Sequence, residues 1–129
     1  MGTKLLVIDD DPAVCESLVL HLEGEGYEVK TASDGVDGMN YFKVYEPDLV
    51  LLDIMLPRKD GRQVCREIRE SSSKPIIMIS AKGETFEKVL CLELGADDFM
   101  VKPLDLRELT ARIKAVLRRC SIREMPDDS

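Results

Sequence analysis

The chain of 129 residues is long enough for one domain with a buried core and too short for a second folded one. Its composition, 44% hydrophobic and 33% charged, is typical of globular domains. The formal net charge of −7 argues against a sequence-independent grip on DNA, and no apolar run approaches the length that spans a membrane. The four cysteines (Cys15, Cys65, Cys91 and Cys120) lack metal-site spacing, which favours a reduced, cytoplasmic location.

Five short apolar runs predict five β-strands, over residues 4–9, 27–32, 48–53, 76–80 and 98–101. Turn residues bound each run, and a helical pattern separates each run from the next. Strands that are buried on both faces and alternate with helices are typical of a parallel sheet. The order of the elements therefore predicts an α/β fold with helices on both faces of the sheet.

A helical pattern follows each predicted strand. The first helix begins after Asp11, which supplies an N-cap before a first-turn proline, and the fourth covers about 84–94. The fifth carries an amphipathic stripe that begins at Leu106. The polar segment 121–129 predicts a linker or a disordered tail, which leaves 1–120 as the predicted domain.

The reactive side chains of the sequence fall at the ends of the predicted strands. Asp9 and Asp10 close the first strand, Asp53 the third and Ser80 the fourth, while Lys102 follows the fifth. Because ligands of doubly wound sheets bind outside the carboxyl ends of the strands, we expect these side chains to share one mouth. The three carboxylates form an oxygen-rich donor set that suits Mg²⁺.

Asp53 is the carboxylate with the clearest chemical interpretation. It ends an apolar strand, where an unpaired structural carboxylate would be costly. An aspartate beside a metal can act as a nucleophile toward phosphorus and form an acyl phosphate. Lys102 would then balance the charge of the transferred phosphoryl group, and Ser80 would offer it a hydroxyl.

The ordered set of motifs resembles the receiver domain of bacterial two-component response regulators. The matching segments are LLVIDDDP, DLVLLDIMLP followed by DG, IIMISAKGE and LGADDFMVKPLD, and the resemblance runs from Lys4 to about Arg119. It implies a flavodoxin-like, doubly wound five-stranded parallel sheet of order 2-1-3-4-5 with five helices. It also implies a phosphoacceptor in a phosphorelay rather than a turnover enzyme, one that promotes its own phosphorylation and dephosphorylation.

The resemblance assigns roles to the residues at the mouth. The family residue that matches Asp53 is phosphorylated by a sensor histidine kinase. The residues that match Asp9 and Asp10, together with Asp53 and the backbone carbonyl of Met55, hold Mg²⁺.

Three more roles concern the response to phosphorylation. The match to Ser80 is a switch hydroxyl, and the match to Lys102 contacts the phosphoryl group. Phe99 stands where tyrosine is more usual in the family's switch position. We expect phosphorylation to draw Ser80 toward the phosphoryl oxygens and to let Phe99 turn inward. The resemblance further predicts a cis peptide bond between Lys102 and Pro103.

The segment from Gly83 to Arg119 resembles the OmpR/PhoB-type transcription regulators. In that subfamily the fourth helix, fifth strand and fifth helix form the face of a symmetric homodimer. Lys88–Glu108 and Asp97–Arg112 match two of its charge pairs. DNA binding is expected only through a C-terminal winged-helix domain outside this sequence.

Two other functional classes remain as alternatives. A phosphatase of the haloacid-dehalogenase type would use Asp9 as its nucleophile in a D-x-D motif, but Ala13 occupies the Thr/Val position and Asp53 is left unexplained. A flavin-binding electron carrier would need a phosphate loop after the first strand, where Asp10 and Asp11 would repel a phosphate.

Overall fold

The structure is a computed structural model that describes the backbone of residues 2–124 and the side chains of residues 2–120. Five strands alternate with five helices along the chain. In chain order the elements are β1 (Lys4–Ile8), α1 (Pro12–Gly24), β2 (Glu28–Ala32), α2 (Gly35–Tyr45), β3 (Leu49–Asp53), α3 (Gly61–Ser71), β4 (Ile76–Ser80), α4 (Thr85–Glu93), β5 (Asp98–Val101) and α5 (Leu106–Glu124).

The strands form one parallel sheet of order β2-β1-β3-β4-β5, which confirms the predicted fold class. The register aligns Ile8 with Leu52 and Ser80 with Val101. The polar residues that close or follow the strands therefore reach the same edge of the sheet. This edge is the predicted mouth.

The core consists of two apolar layers, one on each face of the sheet. Side chains alternate along each strand, so Leu6 and Ile8 enter the layer beneath α2, α3 and α4, whereas Leu5 and Val7 enter the layer beneath α1 and α5. All five residues of β3 and of β4 are buried. This two-sided burial explains why both central strands are continuous apolar runs in the sequence.

The predicted boundaries differ from the structure mainly at the end of the chain. The bounds of β4 and β5 are as predicted, and β1 ends at Ile8, one residue earlier than predicted. Helix α5 continues to Glu124, four residues into the segment 121–129 that was predicted to be a linker or a tail. The rest of the predicted tail, residues 125–129, lies outside the described residues.

One glycine allows α3 to begin directly against the third strand. The amide of Gly61 donates to the carbonyl of Ile54 at 2.8 Å. A Cβ atom at Gly61 would lie 2.1 Å from the carbonyl oxygen of Asp53 and 2.8 Å from the Cα of Ile54. Any side chain here would therefore push the backbone that carries Asp53.

Within the described part of the chain, no helix is long and apolar enough to cross a membrane.

Candidate functional site

Three aspartates converge at the mouth of the sheet. Asp9 and Asp10 follow β1 directly, and Asp53 is the last residue of β3. One carboxylate oxygen from each lies within 4.8 Å of the others. Asp9 is 2% exposed and Asp53 is 5% exposed, whereas Asp10 faces solvent. The cluster therefore has a buried floor and an open side through which a solute can enter.

Lys102 brings the positive charge of the site. It follows β5, and its backbone amide donates to the carbonyl of Ser80 at 2.8 Å. Its Nζ lies 3.0 Å from Asp9 Oδ2 and 3.1 Å from Asp53 Oδ2. The peptide bond between Lys102 and Pro103 is cis, as the resemblance predicts. One ammonium group is thus shared between two buried carboxylates.

The electrostatic environment perturbs both partners of the central ion pair. Burial raises the pKa of the Asp53 carboxyl above its ordinary value, and the Asp9 carboxylate raises it further. The Lys102 ammonium and the Met55 amide oppose this rise in pKa without cancelling it. Burial alone would lower the pKa of Lys102, but its hydrogen bonds to Asp9 and Asp53 raise it overall. Lys102 therefore stays protonated at neutral pH.

The donor set of the cluster fits a hard divalent cation. Three carboxylates stand against one ammonium, which leaves an excess of negative charge in a mostly buried site. Backbone amides hold the remaining oxygens of the two buried acids: Asp11 N donates to Asp9 Oδ1 at 2.9 Å, and Met55 N donates to Asp53 Oδ1 at 3.3 Å. Mg²⁺ prefers such oxygen ligands and needs only one or two carboxylates from the protein.

Ser80 and Phe99 occupy well-defined positions beside the cluster. Ser80 is 1% exposed, and its Oγ donates to Glu87 Oε1 at 2.7 Å and accepts from Lys82 N at 2.9 Å. Phe99 is 7% exposed and packs in the core layer that also contains Cys91. The expectation that phosphorylation changes the orientation of the Phe99 ring stays a prediction.

The predicted dimer residues lie on α4, directly before β5 and on α5, and three of them bind groups of their own chain. Arg112 donates from Nη1 to both carboxylate oxygens of Asp98, at 3.0 and 3.1 Å, and from Nε to Glu108 at 2.9 Å. Asp97 instead accepts from Arg69 Nη2 at 2.8 Å. Within the chain Arg112 therefore pairs with Asp98 rather than with Asp97, whereas Lys88 is exposed on α4. The Lys88–Glu108 and Asp97–Arg112 pairs between two protomers stay predictions.

Glu87 and Arg69 are two residues of consequence that the sequence did not reveal. Glu87 bonds the hydroxyl of Ser80, and Arg69 binds the loop that leads into β5. The first bond spans seven residues between consecutive elements, and the second joins residues 26 apart in the chain. Charged residues on amphipathic helices are usually solvated, so the sequence carried no signal that distinguished these two from their neighbours.

Comparison with known proteins identifies the family. Residues 5–114 match the model of the family described as response regulator receiver domain, and the chain belongs to this family. It is 49% identical over 123 residues to the alkaline phosphatase synthesis transcriptional regulatory protein PhoP of Bacillus subtilis. The match covers 95% of this chain and 51% of PhoP, so the chain spans about half the length of that relative.

Solved structures share the same fold. The BeF₃-activated N-terminal receiver domain of RstA from Klebsiella pneumoniae superposes with a TM-score of 0.86 at 34% identity, covering 89% of this chain and 98% of RstA's receiver chain. A CheY-like receiver domain protein from Methanospirillum hungatei gives a TM-score of 0.89 at 29% identity, covering 95% and 99% of the two chains. The chain is therefore the receiver domain of a two-component response regulator and not a typical turnover enzyme.

Proposed function

We propose that the chain accepts a phosphoryl group on Asp53 from a sensor histidine kinase, with Mg²⁺ bound at the aspartate cluster. The observation that carries this proposal is the position of Asp53. Its carboxylate is buried at the end of an apolar strand, beside two further carboxylates and within 3.1 Å of the Lys102 ammonium. A purely structural aspartate would be placed with balanced charge, whereas this one is placed with an excess of negative charge.

The transfer step needs a nucleophile and a group that balances negative charge. A carboxylate oxygen of Asp53 attacks phosphorus as the P–N bond of a phosphohistidine breaks, with its electron pair left on the imidazole nitrogen. The product is an acyl phosphate on Asp53, which water can later hydrolyse. Lys102, held as an ammonium by Asp9 and Asp53, balances the charge on the phosphoryl oxygens.

Asp9, Asp10 and Asp53, together with the backbone carbonyl of Met55, would hold Mg²⁺. The carboxylate oxygens of the three acids already lie close enough to ligate a common ion. The metal would supply neutralisation of the charge on the phosphoryl oxygens. The open side at Asp10 supports entry of the ion from solvent.

A groove next to the mouth supports docking of the phosphoryl donor. It has a volume of about 500 Å³, and its lining residues are Ala13, Val14, Ser17, Leu18, Lys102, Pro103, Leu104 and Leu106. Most of these side chains are apolar, and Lys102 also belongs to the aspartate cluster. We propose that a helix of the kinase docks here, because its phosphohistidine must reach Asp53 from the open side of the cluster.

Intact mass after incubation with acetyl phosphate and Mg²⁺ tests the phosphoryl acceptor. The wild-type chain should gain the mass of one phosphoryl group, and Asp53→Asn should gain none, since an amide is a very poor nucleophile. Asp10→Ala should be labelled more slowly. Asp105→Asn, which alters an exposed aspartate ahead of α5, is the matched control and should behave as wild type. Labelling of Asp53→Asn at the wild-type rate would refute the assignment.

The face formed by α4, β5 and α5 is the proposed surface for homodimerisation. Phe86 is 76% exposed, Val89 47% and Val101 40%, which leaves apolar surface among the charged residues. We propose that Lys88 and Glu108 pair across a two-fold axis in the dimer. Exposed pairs contribute little energy, so their role would be orientation and partner choice.

Sedimentation with and without beryllofluoride tests this dimer face. The phosphoryl mimic should shift the wild-type chain toward dimer, and Glu108→Lys should weaken that dimer without preventing binding of the mimic. Glu16→Lys, an equal charge reversal on the exposed face of α1, is the control and should leave the dimer intact. If the mimic binds and the wild type stays monomeric throughout a concentration series, the face does not mediate self-association.

The similarity to PhoP extends the proposal to gene regulation. That relative is a transcriptional regulatory protein, and this chain spans about half its length. We propose that the receiver controls transcription through a DNA-binding domain outside these residues, in the cytoplasm. Binding of the full-length protein to promoter DNA, measured with and without phosphorylation, tests this extension.

A further inference from the structure

The hydroxyl of Ser80 takes part in two hydrogen bonds. A serine hydroxyl has one hydrogen to donate. That hydrogen is donated to Glu87 Oε1 at 2.7 Å, while Oγ accepts from the amide of Lys82 at 2.9 Å. Ser80 is buried, and a bond from a buried hydroxyl to a carboxylate is charge-assisted and among the stronger hydrogen bonds. Ser80 can donate to a phosphoryl oxygen only after it leaves Glu87.

The same hydrogen bond attaches the start of α4 to the sheet. Among the nine residues of this helix, all of which the structure describes, Cys91 alone is buried. The residue at its N-cap, Glu84, makes no side-chain capping bond. The first turns of α4 are therefore held to β4 largely through the side chain of Glu87.

The end of α4 is anchored much more firmly than its start. The carbonyl of Leu94 accepts from Cys65 Sγ at 3.8 Å, and the carbonyl of Gly95 accepts from Arg69 Nε at 2.8 Å. Both donors lie on α3. Loss of the bond at Glu87 would therefore free the start of the helix while its end stays attached to α3.

We infer that Glu87 is a latch that holds the Ser80 hydroxyl and the start of α4 in the resting state, and that a phosphoryl group on Asp53 must displace it. This inference rests on the proposed function, because it needs a phosphoryl group at Asp53. The carboxylate and the phosphoryl oxygens compete for one hydrogen. The bond to Glu87 therefore weakens binding of the phosphoryl group, and the phosphoryl group weakens the bond to Glu87 by the same factor.

Arg62 is a cation whose charge interacts with that of Glu87. Arg62 lies on α3, where its Nε donates to Asp60 at 3.2 Å. The hydrogen bond to Asp60 is the main reason that the pKa of Arg62 is raised, and the charge of Glu87 contributes to the same rise. Once Ser80 is withdrawn, Glu87 would keep a cationic neighbour on α3.

Beryllofluoride titration in Mg²⁺, followed by the NMR shifts of backbone amides, tests the latch. Glu87→Ala should bind beryllofluoride roughly three- to tenfold more tightly than wild type, since a charge-assisted bond no longer competes. Glu87→Gln, which keeps a weaker acceptor, should show a smaller gain in the same direction. Glu84→Ala removes an equal charge one turn earlier and should bind as wild type does.

A double mutant separates the latch from a general effect of charge. In a Ser80→Ala background, Glu87→Ala should no longer change the affinity for beryllofluoride, because the shared hydrogen is gone. An unchanged or weaker affinity in Glu87→Ala, or an equal gain in Glu84→Ala, would overturn the inference. The inference would also be overturned if Glu87→Ala still increased the affinity for beryllofluoride in the Ser80→Ala background.

Hydrogen exchange without beryllofluoride distinguishes this inference from the proposed function. The amide of Lys82 donates to Ser80 Oγ and should exchange faster in Glu87→Ala than in Glu84→Ala or wild type. If wild type binds no beryllofluoride, the proposed function fails and the competition fails with it. If wild type binds the mimic but exchange and affinity are the same in Glu87→Ala, only the latch is refuted.

Discussion

The two ends of the sheet each hold an aspartate beside a cation, and they differ in how the charge is balanced. At the end opposite the mouth, Asp97 Oδ2 accepts from Arg69 Nη2 at 2.8 Å and from Ile76 N at 2.9 Å. Arg69 also donates to the carbonyl of Gly95 at 2.8 Å and to that of Lys74 at 2.7 Å. One guanidinium thus joins α3 to the loops before β4 and β5.

At the mouth, the negative charges outnumber the positive one. The ammonium of Lys102 is shared between Asp9 and Asp53, and Asp10 adds a further negative charge to the cluster. The excess charge raises the pKa of the Asp53 carboxyl, in addition to the effect of burial. A balanced network stabilises a fold, whereas a buried excess of like charge costs stability and is characteristic of sites that receive a ligand. Within one domain, the charge of Asp97 is thus matched by Arg69, whereas the acids around Lys102 leave an excess of negative charge.

The largest expected effect is a loss of stability when Arg69 is removed from the end of the sheet opposite the mouth. Arg69→Ala removes four donated hydrogen bonds and leaves Asp97 without its guanidinium. We expect the free energy of unfolding in urea to fall by about 2–4 kcal/mol. Arg66→Ala, on the exposed face of the same helix, should change it by less than about 0.5 kcal/mol. Equal effects of the two substitutions would show that the Arg69 network is not a structural clamp.

The second largest effect is expected at Gly61, which packs against the backbone of Asp53. Gly61→Ala places a methyl group against the carbonyl oxygen of Asp53, so we expect a loss of about 1–3 kcal/mol in unfolding free energy and slower phosphorylation. Gly24→Ala is the matched control, because a Cβ there meets nothing within 4 Å, and it should leave phosphorylation unchanged. A normal phosphorylation rate in Gly61→Ala would show that close packing at Asp53 is unnecessary.

The smallest effect is a pH dependence at the mouth. The folded-state pKa of Asp53 is raised, so the folded chain binds the proton more tightly than the unfolded chain. The charged Asp53 carboxylate lowers the free energy of unfolding. This loss of stability is fully present above the raised pKa and is relieved as the pH falls toward the ordinary pKa of aspartate. In chelator, the stability advantage of Asp53→Asn over wild type should therefore shrink on acidification, by at most about 1 kcal/mol. An advantage that grows as pH falls would contradict the sign of the shift.

Much of the fold could be predicted from the sequence because buried parallel strands are continuous apolar runs. The bounds of β4 and β5 follow from such runs and the turn residues around them. The end of α5 could not be predicted, because the polar residues after Cys120 are compatible with either a helix or a tail. The convergence of Asp9, Asp53 and Lys102 was predictable from the parallel order of the strands alone.

Pairing on the surface could not be predicted in the same way. Asp97 and Asp98 are adjacent in sequence, and successive side chains point to opposite sides of an extended backbone. Only one of them can face Arg112, and the sequence does not say which. The structure gives Asp98 to Arg112 and Asp97 to Arg69. Similarly, the bond from Ser80 to Glu87 depends on where α4 starts relative to the sheet.

The unfolding free energy of wild type and Asp53→Asn, measured in chelator and in saturating Mg²⁺ at constant ionic strength, tests the central claim most directly. In chelator, Asp53→Asn should be the more stable chain by about 1 kcal/mol, since it relieves the excess charge. Mg²⁺ should stabilise wild type by about 2.7 kcal/mol at a hundredfold excess over its dissociation constant, and Asp53→Asn by much less. If Mg²⁺ stabilises both chains equally, or neither, the negative charge at the mouth is not there to bind a cation.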